Sequence, residues 1–246
     1  MRYFFELSYR GKAYHGWQRQ PNALSVQEVV EQALATLLQR EVEITGAGRT
    51  DTGVHARQIF AHADLEADVD SHFLFRLNRL LPLDVAAHAI RRVHENAHAR
   101  FDADSRTYEY HITQTKDVFA IETANHLERN LNLAAMNQAA GILMEYDSFK
   151  SFSRSRTDVR TFDCRIQEAH WEKMGSRLVF KITADRFLRN MVRAVVGTLL
   201  EIGLGRTKPE EIREIITSED RSRAGASVPA HGLFLTNVEY PKSIFY

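Results

Sequence analysis

The run Gly46-Ala47-Gly48-Arg49-Thr50-Asp51-Thr52-Gly53-Val54-His55-Ala56 is the most unusual stretch of this 246-residue chain. Two glycines precede Arg49 and Asp51 and a third follows, so the backbone can turn sharply and approach a ligand closely. Arg49 and Asp51 lie two apart. An extended segment would put them on one face, and a tight turn would point both into one cleft. The same pair suits a surface turn with a local ion pair equally well. Asp51-Thr52-Gly53 is also the tripeptide of aspartic proteases, whose chemistry needs two carboxylates sharing a proton. One copy is present, so a homodimer would have to bring the second. The loop lacks the Walker lysine and the G-x-G-x-x-G order of a nucleotide cradle.

Metal chemistry finds little support. Among 11 histidines, His94 and His98 are four apart, but Glu95 is their one adjacent carboxylate. His55 and His62 fall on opposite faces of their strand. No cluster has ligand spacing, and no metal is expected. The single cysteine, Cys164, excludes an intrachain disulfide framework and a multi-cysteine zinc site, and it fits a reducing cytoplasm.

The elements that must position these residues can be read from periodicity. Arg2 to Tyr9 is an aromatic-rich strand, followed by a turn-like loop to Leu24. Ser25 and Glu28 have capping-box spacing. Behind them Val26, Val29, Val30, Ala33, Leu34, Leu37 and Leu38 recur along one helical face. Glu41 to Thr45 reads as a short strand and Val54 to Leu65 as another. A helix from Asp70 presents Phe73, Leu74, Leu77 and Leu81 before Pro82 stops it, and Val85 to Val93 is a further strand. The order is β-α-β-β-α-β, the ferredoxin-like arrangement.

His94 to Ser105 turns polar and small, which predicts a boundary giving two α+β halves, 1–97 and 98–246. In the second, Thr107 to Gln114 reads as a strand and Asn132 to Glu145 as a helix. A hairpin over Arg165–Glu172 and Arg177–Ala184 turns at Lys173 to Ser176. A long helix then carries Phe187, Leu188, Met191, Val192, Val195, Val196 and Leu199 on one side. Pro209 to Thr217 is a short helix and Leu233 to Tyr240 a closing strand. The second half thus repeats the first with one added helix, and two such halves could join their sheets around a cleft.

Composition bounds the partners. Hydrophobic residues make up 44% and charged ones 26% of the chain, which excludes wholesale disorder. Lys+Arg and Asp+Glu are both 32, with 12 of each through residue 100 and 20 of each after it. A polyanion-binding surface must therefore be local. Lys150, Arg154, Arg156, Arg160 and Arg165, set against Asp158 and Asp163, are interleaved with Phe149, Phe152 and Phe162. Arg10, Lys12 and Arg19 around Trp17 form a second candidate patch. Either could be solvated loop. No apolar run approaches the ~20 residues of a membrane helix. Met1 to Glu6 meets a charge too early for a secretory signal. A soluble, cytoplasmic protein without membrane partners is expected.

Longer comparison adds a resemblance. GAGRTDTGVHARQ resembles the signature of the tRNA pseudouridine synthase A family. Gly16-Trp17-Gln18-Arg19-Gln20 with Ser25-Val26-Gln27 is similar to its amino-terminal loop and helix. His98-Ala99-Arg100-Phe101 with Arg106-Thr107-Tyr108-Glu109-Tyr110 is similar to the start of its second half. Phe187 to Arg193 with Gly197 resembles its long helix, and Gly232-Leu233-Phe234-Leu235 before Val238-Glu239-Tyr240-Pro241 its last strand.

The resemblance implies two RRM-like, that is ferredoxin-like, halves flanking an active-site cleft. It implies an enzyme that isomerises uridine to pseudouridine in the tRNA anticodon stem-loop, at positions 38, 39 and 40, without a cofactor and as a homodimer. Asp51 matches the catalytic aspartate and Arg193 its partner. Tyr108 matches an active-site tyrosine that would also hold the uracil, whereas Tyr110 is read as core. Arg49 is the candidate base-flipping residue. Leu233 and Leu235 match apolar residues of which one would line the uracil pocket; sheet core suits them equally. Two other classes stay open: a non-catalytic tRNA-binding or chaperone protein of the same fold, and a dimeric aspartic-protease-like hydrolase.

Overall fold

Phe4, Phe5 and Leu7 are fully buried because their strand, β1 (Arg2–Tyr9), is central. The computed structural model describes residues 1–66, 68–154 and 161–246. It is a mixed α+β protein of two compact units, residues 1–104 with 234–246, and residues 105–233. The expected single cut at residue 97 therefore gives way to a chain that returns. The last strand, β9 (Leu233–Glu239), begins in the second unit and supplies the first.

In the first unit β1 pairs antiparallel with β3 (His55–Asp64) on one side and β4 (Val85–Val93) on the other. β2 (Thr45–Gly46) adds antiparallel to β3, and β9 adds parallel, with His55 opposite Phe234 and Ala56 opposite Leu235. Between the pairs Leu7–Ile59 and Tyr9–Ala56, β3 carries one residue more than β1. This bulge bends the strand just after the Asp51 loop.

Helix α1 (Val26–Leu38) starts where the Ser25 hydroxyl accepts the Glu28 N–H at 3.2 Å. It buries Val26, Val30, Ala33 and Leu34 as the periodicity predicts, with Val29, Leu37 and Leu38 only half-covered. It also buries Glu31. That carboxylate accepts the Gln27 amide at 2.9 Å and the Ile44 N–H at 3.1 Å, so the buried charge is solvated by protein donors. Gln27 donates to the Ile44 carbonyl as well, at 3.0 Å. This corrects the expected strand over Glu41–Thr45. The Ile44 backbone is spent on α1 side chains, leaving two residues to pair as β2. Helix α2 (Phe73–Leu80) follows a turn in which Asp70 accepts the His72 N–H.

The second unit pairs β5 (Ser105–Thr113) with β8 (Arg177–Ala184) and β8 with β7 (Ile166–Met174), all antiparallel, with the two-residue β6 (Asn125–His126) parallel on β5. The β7–β8 hairpin closes through Gly175 at φ +60°. Helix α3 (Leu133–Leu143) docks on β7 by a reciprocal pair, Asn137 with the Trp171 backbone at 3.0 and 2.6 Å.

Helix α4 (Met191–Gly203) is covered on nearly every face. It begins four residues later than its apolar stripe, which starts at Phe187, predicts. Asn190 is left-handed at φ 66° and breaks the turn, so Phe187 and Leu188 precede the helix. Pro209–Glu211 is a single 3-10 turn leading into α5 (Ile212–Thr217). No helix among the described residues is long and apolar enough to cross a membrane.

Candidate active site

Asp51 stands half-buried at the head of a turn in which its carbonyl accepts the Val54 N–H at 3.1 Å. Gly53, at φ +80°, takes the left-handed conformation the turn requires, and its N–H donates to the Tyr14 carbonyl at 3.3 Å. The 11–17 segment packs directly on this loop. The Trp17 N–H donates to the Thr50 carbonyl at 3.4 Å. Gly16, at φ +87°, lies so close to that carbonyl that a Cβ would be 2.2 Å from its oxygen. On the far side Gly46 lets the buried Trp17 indole rest against the backbone, where a Cβ would be 2.3 Å from Nε1. Arg49 is exposed while Asp51 is half-buried, so the two present different environments.

Two residues beside this loop escaped notice in the sequence. The Tyr9 hydroxyl meets the Thr50 hydroxyl at 2.8 Å in the interior. His55, considered above only as a metal ligand, is buried. Its Nδ1 accepts the Gly11 N–H at 3.1 Å, which leaves the proton of the neutral ring on Nε2. Its ring stacks on Phe234 at 4.7 Å, and Arg57 lies over the same Phe234 ring at 5.2 Å. Motif spacing carries no trace of these contacts, which join residues far apart in the chain.

In the second unit Tyr108 is half-buried on β5, paired with Ile182, its ring edge-on to Phe187 at 5.1 Å. Tyr110 is fully buried, as its reading as core requires. Its hydroxyl donates to the Pro229 carbonyl at 3.0 Å. Burial raises the Tyr110 pKa, and the positive charge of Arg193 opposes that rise. Arg193 is half-buried on the first turn of α4. Its Nε donates to the Val228 carbonyl at 2.7 Å, and its own carbonyl accepts the Val228 N–H at 3.2 Å. Close approach of this segment needs glycine: a Cβ on Gly197 would be 1.8 Å from the Ala226 oxygen. Leu233 and Leu235 are both buried, as ordinary sheet residues are.

The two basic patches need correction. Phe149 and Phe152 are wholly buried and serve the core, so they offer no ring to a base. Lys150 pairs with Glu219 at 2.8 Å. Arg156, Asp158 and Arg160 lie outside the described residues. Trp17 is likewise interior, and Arg19 is paired with Glu31 at 3.4 Å, leaving Arg10 and Lys12 exposed on the surface of that segment.

The histidines also have structural work. The His62 Nδ1 accepts the Ala99 N–H at 3.2 Å, and its ring meets His98 at 4.7 Å. Burial pushes the His62 pKa down to about 4, aided by the nearby Arg2 charge, so the ring is neutral at physiological pH. Among the described residues no group of three or more metal donors occurs. Cys164 donates to the Arg186 carbonyl at 2.8 Å, and burial raises its thiol pKa to about 12, so it is unreactive.

The class defined by these features is a mixed α+β protein in which a loop packed against the 11–17 segment presents one carboxylate. Residues 146–241 match the family model described as tRNA pseudouridine synthase. A tRNA pseudouridine synthase A of Parabacteroides distasonis is 52% identical over 246 residues, covering 99% of this chain and 98% of that protein. Proteins of the same name from Porphyromonas gingivalis and Bacteroides thetaiotaomicron are 50% and 51% identical, each across 99% of this chain and across 99% and 92% of their own lengths. The chain belongs to the tRNA pseudouridine synthase A family.

Proposed function

We propose that this protein isomerises uridine to pseudouridine in tRNA, with Asp51 as the catalytic carboxylate. Near-full-length identity of 50–52% to three proteins named for that activity carries the reading. The targets are positions 38, 39 and 40 of the anticodon stem-loop, and the protein acts in the cytoplasm as a homodimer. Both halves are ferredoxin-like in this proposal, and the antiparallel order β4-β1-β3-β2 supports it for the first unit.

The reaction breaks the N1–C1′ bond, turns the uracil, joins C5 to C1′, releases the C5 hydrogen as a proton and leaves N1 protonated, so no net atom is gained or lost. The Asp51 carboxylate either attacks the sugar or takes a proton from it, and both routes need it ionised. Arg193, restrained through Val228, is the arginine assigned as partner to that carboxylate. Tyr108 holds the uracil face and assists the loss of the C5 proton. Leu233 or Leu235 gives the pocket an apolar wall, and Arg49 offsets part of the roughly few kcal/mol needed to unstack the base.

The test is to incubate unmodified tRNA transcripts with the protein and map pseudouridine by carbodiimide-directed primer extension. Product at positions 38, 39 and 40 is expected. Tight tRNA binding without product would replace the enzyme with a non-catalytic RNA-binding protein.

A further inference from the structure

We propose that Tyr9 and Thr50 are positioning residues, whose shared hydrogen bond fixes the backbone from which Asp51 is presented. This rests on the reading of Asp51 as the catalytic carboxylate. The two hydroxyls are 2.8 Å apart, and the residues are only 4% and 9% exposed. Thr50 directly precedes Asp51. Its carbonyl is already constrained by the Trp17 N–H and by the close face of Gly16. On the other side of Asp51, the Val54 N–H reaches back to the Asp51 carbonyl, and the Gly53 N–H donates to Tyr14.

These backbone bonds hold the path of the loop, and the hydroxyl pair adds a side-chain tie from Thr50 to the end of β1. Tyr9 lies where β3 is bulged, two strand positions beyond the Leu7–Ile59 pair. The tie therefore joins the β1–β3 bulge to the residue before the carboxylate.

A purely structural role fits this pair less well. Burying two hydroxyls costs desolvation that their hydrogen bond only repays, so replacing both with apolar groups of the same shape is nearly neutral for stability. Tyr9 and Thr50 could be Phe and Val with the interior still filled. What the hydroxyls add is direction: they restrain the rotation of the Thr50 backbone that would swing the Asp51 carboxylate. Reactions held in near-attack geometry lose on the order of a hundredfold for a displacement of about 1 Å.

The experiment measures single-turnover pseudouridine formation, tRNA affinity and the thermal midpoint for Tyr9→Phe, Thr50→Val, Thr50→Ser and the Tyr9→Phe/Thr50→Val double variant. Tyr9→Phe and Thr50→Val should each slow the chemical step about tenfold or more, with tRNA affinity unchanged. The double variant should regain a near-wild-type thermal midpoint and stay slow, and its loss should be no larger than that of either single change. Thr50→Ser, which keeps the hydroxyl, should retain most of the rate. A double variant that reacts at the wild-type rate overturns the proposal, as does a rate loss that merely tracks the unfolded fraction. Asp51→Asn is run alongside. If Asp51→Asn is inactive while the double variant is fully active, the positioning claim alone fails. If Asp51→Asn is active, the reading of the carboxylate fails and the proposal with it.

Discussion

The Asp51 loop and the α4 start that carries Arg193 meet the same problem by different means. Both bring a backbone carbonyl against a glycine: Thr50 against Gly16, and Ala226 against Gly197. In the first unit that glycine is itself left-handed, at φ +87°, and belongs to the 11–17 segment that packs on the Asp51 loop. In the second unit the glycine is helical, and the docked segment is held by both Val228 backbone bonds to Arg193. The acid is presented by an irregular loop under many local constraints, whereas the arginine is presented by a rigid helix with one strap. Loop geometry should therefore be the more fragile of the two.

Replacing each glycine with alanine tests that directly. Gly16→Ala should be the more damaging. Left-handed backbone costs a residue with Cβ roughly 1–2 kcal/mol, and the contact at 2.2 Å adds overpacking strain of about 1–3 kcal/mol. Pseudouridine formation should fall further than the drop in thermal midpoint explains, because the Thr50 carbonyl yields and Asp51 moves with it. Gly197→Ala meets backbone still closer, at 1.8 Å, but alanine regains up to about 1 kcal/mol of helix propensity. A net loss of roughly 1–2 kcal/mol follows, read from the urea midpoint. Equal losses for the two changes would erase the contrast drawn between loop and helix.

A smaller effect separates the units by pH. The folded-state pKa of His62 is about 4, while the unfolded imidazole titrates near 6.5. Between these values the unfolded chain binds the proton that the folded chain refuses. The His62 contribution is therefore fully present above pH about 6.5 and is lost progressively as pH falls toward 4. His62→Asn keeps an acceptor for the Ala99 N–H and should make the urea midpoint less sensitive to acid over that window. An unchanged pH profile would show that His62 is not the group responsible.

Much of this was legible in the residues themselves. β4 and β8 have the expected bounds, because alternating or continuous apolar runs end at clear turn residues. The Asp51 loop stood out through its glycine spacing, and the chemistry proposed for Asp51, Arg193 and Tyr108 follows from the family resemblance. What stayed hidden depends on residues distant in the chain. Ile44 reads as strand until Glu31 and Gln27 take its backbone groups. The start of α4 reads earlier until Asn190 turns left-handed. Phe149 and Phe152 are interleaved with basic residues in a candidate polyanion patch until burial claims them for the core. Tyr9 with Thr50 and His55 with Phe234 exist as pairs only after folding.

The most direct measurement is tritium release from tRNA carrying 5-³H-uridine, with wild type and Asp51→Asn compared at equal folded fraction. Joining C5 to C1′ expels that hydrogen, so release reports the isomerisation itself. Release by wild type and a loss of at least about a thousandfold in Asp51→Asn is expected for removal of a group that takes part in the chemistry. Release at comparable rates by both proteins would contradict the assignment of the carboxylate, and release by neither would contradict the enzyme.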